Sequence, residues 1–159
     1  MMLASTLAGF GFGNAGVHIP HAMGYPVAGM VRDYRAPGYP NQAKPQVPHG
    51  ISCIVNAPAA FRFTLPAQPD RHAHAARMLG LDTRGLSQEE AAQALPDGLI
   101  RLMRDLDMPN GLGALGYTEE DLPALAAGAM KQQRLLVNAP RPVTEPDMIA
   151  LFRQAMRYW

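Results

Sequence analysis

The chain has 159 residues, enough for one domain. With 48% hydrophobic and 17% charged residues it can fill a core, which excludes a disordered tail. Lys plus Arg is 14 against 13 Asp plus Glu, a net charge of +1, so no global field recruits nucleic acid or an anionic membrane. The one cysteine, Cys53, forbids an internal disulfide and points to a cytoplasmic location. No apolar run reaches the ~18–20 residues of a membrane span, and Met1–Phe12 lacks the basic start of a signal peptide.

In chain order, Met1–Gly11 is a small-residue apolar stretch that predicts a buried helix. Gly16–Met30 follows as a second helix, short or kinked because Pro20 and Pro26 lie within it. Residues 32–48, with prolines at 37, 40, 45 and 48 among charges and tyrosines, predict a long ordered loop. His49–Phe63 reads as helix. A helix is expected over Pro69–Leu79, stopping at Gly80. Ser87-Gln88-Glu89-Glu90 is a capping box, and the helix it opens is expected to break near Pro96 and resume through Leu99, Leu102 and Leu106. Thr118-Glu119-Glu120-Asp121 and Thr144-Glu145-Pro146-Asp147 are two more helix starts with acid in the first turn. Met148, Leu151, Phe152, Ala155 and Met156 then recur at helical spacing and make the last helix amphipathic. No sustained alternation of strand type occurs, so the expected fold is all-α, a bundle-like single domain over residues 1–159.

Few residues carry chemical signals. His18 and His21 are three apart and share a face if helical, and His49 stands between Pro48 and Gly50 at a helix start, where a histidine can hold a metal. Ordinary surface or core histidines explain the spacing as well. His72 and His74 read as solvated helix positions. The glycines of Gly9–Gly16 do not form a phosphate loop and suit close helix packing. Cys53, in an apolar run, reads as an inert thiol, and Arg32, Arg35 and Lys44 of the proline-rich loop can meet an acidic substrate.

Gly13-Asn14-Ala15-Gly16-Val17-His18-Ile19-Pro20-His21-Ala22-Met23, then Tyr25-Pro26, then Val47-Pro48-His49-Gly50, resembles the signature of the iron-dependent (group III) alcohol dehydrogenases. The long insertion between the histidines, Asp105-Leu106-Asp107, Gly116-Tyr117 with Asp121 and Pro123, and Asn138–Thr144 resemble one branch of it, the hydroxyacid–oxoacid transhydrogenases. The resemblance covers nearly the whole chain. It implies that His21 and His49 are ligands of iron(II) or zinc. It also implies that Tyr25, where most members carry histidine, is a proton-relay or substrate-positioning group. Arg32, Arg35 and Lys44 would then suit a carboxylate substrate. The family's N-terminal α/β domain, which binds NAD and supplies the remaining ligands, has no counterpart here, so the chain is expected to be the helical C-terminal domain of a larger enzyme, inactive alone. The face around His21, Tyr25 and His49, with Ala22, Met23, Val27 and Ala28, is expected to expose apolar area and to drive homo-oligomer formation. The rival reading is a stand-alone, non-enzymatic helical binding or assembly module.

Overall fold

The computed structural model describes residues 1–39 and 42–159. The fold is all-α. Among the described residues the helices are α1 (Met2–Ala15), α2 (Ile19–Gly29), α3 (His49–Ile54), α4 (Ala57–Thr64), α5 (Pro69–Met78), α6 (Gln88–Asp105), α7 (Leu122–Met130), α8 (Gln133–Leu136) and α9 (Glu145–Gln154). The sole β feature among them is an isolated bridge between Arg35 and Gln46. None of the helices is long and apolar enough to cross a membrane.

The capping residues start helices where their chemistry demands. Ser87 Oγ accepts the Glu90 N–H at 3.3 Å while the Glu90 carboxylate takes the Ser87 N–H at 2.8 Å. Thr144 and Asp147 make the same exchange at the head of α9. The Asp121 carboxylate accepts the Thr118 N–H at 2.8 Å, opening a short 3₁₀ turn that leads into α7. Each exchange satisfies backbone donors that a helix N-terminus otherwise leaves orphaned.

Helix α2 lies at the centre, packed against α3, α7 and α8; α7 in turn packs on α9, and α4 bridges α6 and α9. The core they enclose contains Ile19, Met23, Val27, Val55, Met103, Leu112, Leu122, Leu125, Met148, Leu151 and Phe152. A smaller cluster, Leu65, Ala73, Ala91 and Ala92, joins α5 to α6. The Asn110 side chain closes the chain end: its Oδ1 accepts the N–H groups of Tyr158 and Trp159, and its Nδ2 donates to the Trp159 carbonyl.

Several expectations need correction. The stretch His49–Phe63 is two helices, because Pro58 has no N–H to continue the ladder and the chain turns at Val55–Asn56 before α4 starts. Conversely, α6 runs unbroken through Pro96. Ala91, Ala92, Leu95, Pro96, Gly98 and Met103 are all buried, and the helix packs on α4 and α5; that burial outweighs the ~3 kcal/mol a helix-interior proline costs. Helix α1 has no buried residue, so its apolar composition does not signal burial within this chain. Ala22, Met23 and Val27 are wholly buried and add nothing to an exposed face. The loop over 32–48 is non-helical where described, with Pro40 and Asn41 outside the described residues. The Gln42 carboxamide braces it, accepting from the Ala36 N–H at 2.9 Å and donating to the Ala36 and Tyr39 carbonyls.

Candidate metal centre

His21 sits in the first turn of α2, directly after Pro20, and is half-buried. His49 is the first residue of α3, directly after Pro48, and is exposed. The two helices approach closely because residue 24 is glycine. A Cβ there would lie 3.0 Å from Ser52 Oγ and 3.3 Å from Cys53 Sγ. The linker into α2 is set by Gly16, at φ +73°, where the Asn138 side chain donates to the Val17 carbonyl at 3.1 Å.

The result is a pair of imidazoles with ring centroids 5.2 Å apart, tilted by 56°. Cys53 lies one helical turn beyond His49, with Sγ 3.6 Å from His49 Nε2. The donor atoms of His21, His49 and Cys53 all fall within 4.8 Å of one another, and they form the group of three such donors found among the described residues. Burial, and then the neighbouring His49, holds the His21 pKa below its ordinary 6.5. The neutral imidazole, which is the metal-binding form, is thereby favoured. Burial pushes the Cys53 thiol up, opposed in smaller part by the neighbouring Ser52 side chain. On a tetrahedral zinc with bonds of about 2.0–2.1 Å, two nitrogens stand about 3.3–3.4 Å apart. The donor atoms converge to within 4.8 Å of one another, and imidazole nitrogens suit zinc or iron(II), so the residues fit a divalent ion.

A cavity of about 420 Å³ opens beside these donors, lined by His18, His21, Gly50, Cys53, Ile54 and Phe61. A second, of about 610 Å³, shares His18 and Phe61 with it and extends to Thr64, Arg71, His72 and Asn138. His18 precedes α2, edge-on to Phe61, and its buried Nδ1 has no partner. Burial, then His21 and His72, lowers its pKa. His72 is buried rather than solvated: Nδ1 meets the Gln68 carbonyl at 2.8 Å and Nε2 meets Thr64 Oγ1 at 3.0 Å. The carbonyl at Nδ1 requires that nitrogen to carry the proton.

Tyr25 is 47% exposed, one turn along α2 from His21. Its hydroxyl accepts a 2.7 Å hydrogen bond from Arg134, whose guanidinium lies 5.7 Å from the ring centroid. Arg134 is 109 residues away in sequence, and no local pattern links the two. Arg32 pairs with Asp121 at 2.5 Å and lies 5.9 Å from the Tyr117 ring centroid, so it ties the loop to the start of α7. Arg35 and Lys44 are exposed. None of the three basic residues lines the cavity beside His21. Cys53 lies beside the two histidines, and its i, i+4 spacing from His49 is the signal in the sequence that places it there.

Residues 1–156 match the family model described as the Fe-containing alcohol dehydrogenase family, C-terminal. The chain is 46% identical to the mitochondrial hydroxyacid-oxoacid transhydrogenase of Pongo abelii and 45% identical to that of Homo sapiens, covering 100% of this chain and 34% of each relative. It is 43% identical to the probable mitochondrial hydroxyacid-oxoacid transhydrogenase of Dictyostelium discoideum, over 98% of this chain and 28% of that one. Among solved structures, a 1,3-propanediol oxidoreductase superposes with a TM-score of 0.82 at 33% identity, over 96% of this chain and 36% of that chain. The alcohol dehydrogenase from Oenococcus oeni gives 0.80 at 30% identity, over 94% and 35%. The chain thus spans about a third of the length of the first two relatives. These relatives are mitochondrial by name, which overturns the cytoplasmic assignment. A lone thiol excludes a disulfide framework only, because any reducing compartment keeps it free.

Proposed function

This chain belongs to the Fe-containing alcohol dehydrogenase family, over that family's C-terminal part, and we propose that it forms the metal-holding helical part of a larger NAD-linked oxidoreductase for alcohols or hydroxyacids. The observation that carries the proposal is the convergence of His21 and His49 from adjacent helices beside an open cavity. His21 and His49 hold iron(II) or zinc. Such an ion supplies Lewis acidity to a substrate alcohol or carbonyl oxygen.

The protein's own side chains shape what surrounds that point. His21, kept neutral by burial, presents a lone pair rather than a positive charge. Tyr25 holds its hydroxyl in place through Arg134 and serves as the proton-relay or positioning group. Arg35 and Lys44 are exposed on the loop that Arg32 anchors through Asp121, outside the cavity beside His21, so the site lends no support to the substrate-carboxylate role expected of them. Hydride transfer requires NAD against the substrate carbon, and no dinucleotide-binding sheet occurs among the described residues. NAD is therefore bound mainly by another part of the protein, and this chain alone does not turn over. The names of the relatives support a hydroxyacid as hydride donor and an oxoacid as acceptor, with 4-hydroxybutyrate and 2-oxoglutarate as the test pair.

Metal analysis of the purified chain tests the reading. One equivalent of zinc or iron is expected, and it should be lost in His21→Ala and in His49→Ala. Calorimetry with NAD should show no tight binding, and a coupled assay on the test pair no turnover. Turnover by the chain alone, or metal uptake indifferent to both histidines, would refute the proposal. The exposed apolar residues of α1 favour the rival, an assembly module that self-associates, and a chain that takes up no metal would support it.

A further inference from the structure

The larger cavity carries a charge pattern that the metal-holding pair does not use. We propose that Arg71 is a specificity-determining residue: it takes the carboxylate of a short hydroxyacid or oxoacid in that cavity, while the alcohol or carbonyl end of the same molecule lies beside His21 and His49. This rests on the reading of those two histidines as a metal-holding pair, and it concerns the opposite end of the substrate.

Charge carries it. The cavity of about 610 Å³ is of the size small molecules occupy, ~300–1,000 Å³. Among the described residues, Arg71 is the sole lysine or arginine lining it, and no aspartate or glutamate does. The ion pairs among those residues engage Arg32, Arg62, Arg84 and Arg153, and Arg71 is in none of them. Asp70, its neighbour in the chain, accepts from Gln88 at 2.7 Å instead. Arg71 stands in the first turn of α5, where the helix dipole also favours an anion. Both ring nitrogens of His72 are engaged, by the Gln68 carbonyl and by Thr64, so the guanidinium is the group left to meet a negative charge.

Shape joins this cation to the metal-holding point. Gly16, His18 and Phe61 line both cavities, so the two adjoin. The Phe61 ring lies edge-on to His18 at 6.1 Å and to His72 at 5.8 Å, an aromatic wall that runs from the junction to α5. Ala75, Leu95 and Leu99 add apolar lining that suits methylene groups. The planar fork of an arginine matches a carboxylate through two parallel hydrogen bonds, which a simple alcohol cannot return. Such a site selects an acid whose carboxylate is separated by a short carbon chain from the reacting oxygen. In 4-hydroxybutyrate two methylenes lie between the carboxylate and the carbon that bears the hydroxyl. In 2-oxoglutarate two methylenes lie between the distal carboxylate and the oxo carbon. One cation therefore serves the hydride donor and the acceptor alike.

The test is binding, which needs no turnover. The full chain, metal-free and isotope-labelled for NMR, is titrated with 4-hydroxybutyrate and, separately, with butanediol, the uncharged diol of the same carbon chain. Signals of Phe61, Thr64 and the first turn of α5 should move saturably with the acid and stay in place with the diol at equal concentration. Arg71→Gln should weaken acid binding by about tenfold or more, the scale of a hydrogen-bonded charge pair. Arg71→Lys keeps the charge without the fork and should weaken it by less. Arg77→Gln, farther along the same helix and outside the cavity, should change nothing. An acid that moves no signals, a diol that binds as well, or acid binding indifferent to Arg71→Gln overturns the proposal. Zinc uptake by the same chain is read separately. Zinc bound without acid binding overturns the Arg71 subsite alone, whereas acid bound by a chain that takes up no zinc overturns the metal-holding reading and, with it, the placement of the substrate's other end.

Discussion

Replacing Gly24 with alanine tests what brings the two imidazoles together. The new Cβ would lie 3.0 Å from Ser52 Oγ and 3.3 Å from Cys53 Sγ, against an ordinary contact of 3.4–4 Å, so α2 and α3 must part by a few tenths of an ångström. Ser52 cannot readily give way, because it is wholly buried and its hydroxyl donates to the His49 carbonyl at 2.8 Å. Overpacking of this kind costs about 1–3 kcal/mol. Exchanging a helical glycine for alanine returns about 1 kcal/mol, which leaves a net destabilisation of about 0–2 kcal/mol. The fold should therefore survive while the donors are displaced. Zinc affinity, measured by chelator competition beside urea unfolding, should fall by about tenfold, the effect typical of disturbed support around a metal ligand. Gly29→Ala, at the end of the same helix with open space around the position, should leave affinity unchanged. A Gly24→Ala chain that folds and binds zinc as tightly as the unaltered one would refute the argument that this close approach sets the site.

Other perturbations read the scaffold. Tyr117 is buried and its hydroxyl donates at 2.6 Å to the Val27 carbonyl in the last turn of α2, where carbonyls lack helical partners. Tyr117→Phe should cost about 1–1.5 kcal/mol in urea unfolding. Thr144→Ala removes the cap of α9 and should cost about 1 kcal/mol, read as a lowered thermal midpoint. His18 and His21 have folded-state pKa values below 6.5, so the unfolded chain binds protons more readily. Stability of the metal-free chain should accordingly fall as the pH drops through about 6.5. A thermal midpoint that holds steady or rises between about pH 7.5 and about pH 5.5 would contradict that sign.

How much of this was legible depends on the range of the interaction. Ser87, Thr118 and Thr144 announce helix starts because a cap and its partner lie three residues apart. The face of α9 follows from a periodicity contained within one helix. His21 and His49 are adjacent in space but 28 positions apart, and the resemblance of their flanking motifs, rather than spacing, linked them. Arg134 gave no signal, since only the packed fold brings α8 to Tyr25. His72 looked solvated because its neighbours in sequence are polar, whereas its ring bonds Thr64 across the turn between α4 and α5. Pro96 misled in the opposite direction: a local rule for breaking helices yields when residues on both sides of the proline are buried.

Helix α1 carries a thermodynamic consequence of its own. Leu3, Leu7, Phe10 and Phe12 stand 54–72% exposed, and no residue of the helix is buried. A 14-residue helix with no buried residue is marginal in water. Its opening free energy is therefore close to zero, while Met23 and Phe152 are released only by disruption of the whole core. In hydrogen exchange the amides of α1 should lose their protons almost as fast as those of a free peptide. Any surface that settles on the helix would slow them, which makes α1 a gauge of its own covering that can be read without labels or mutation.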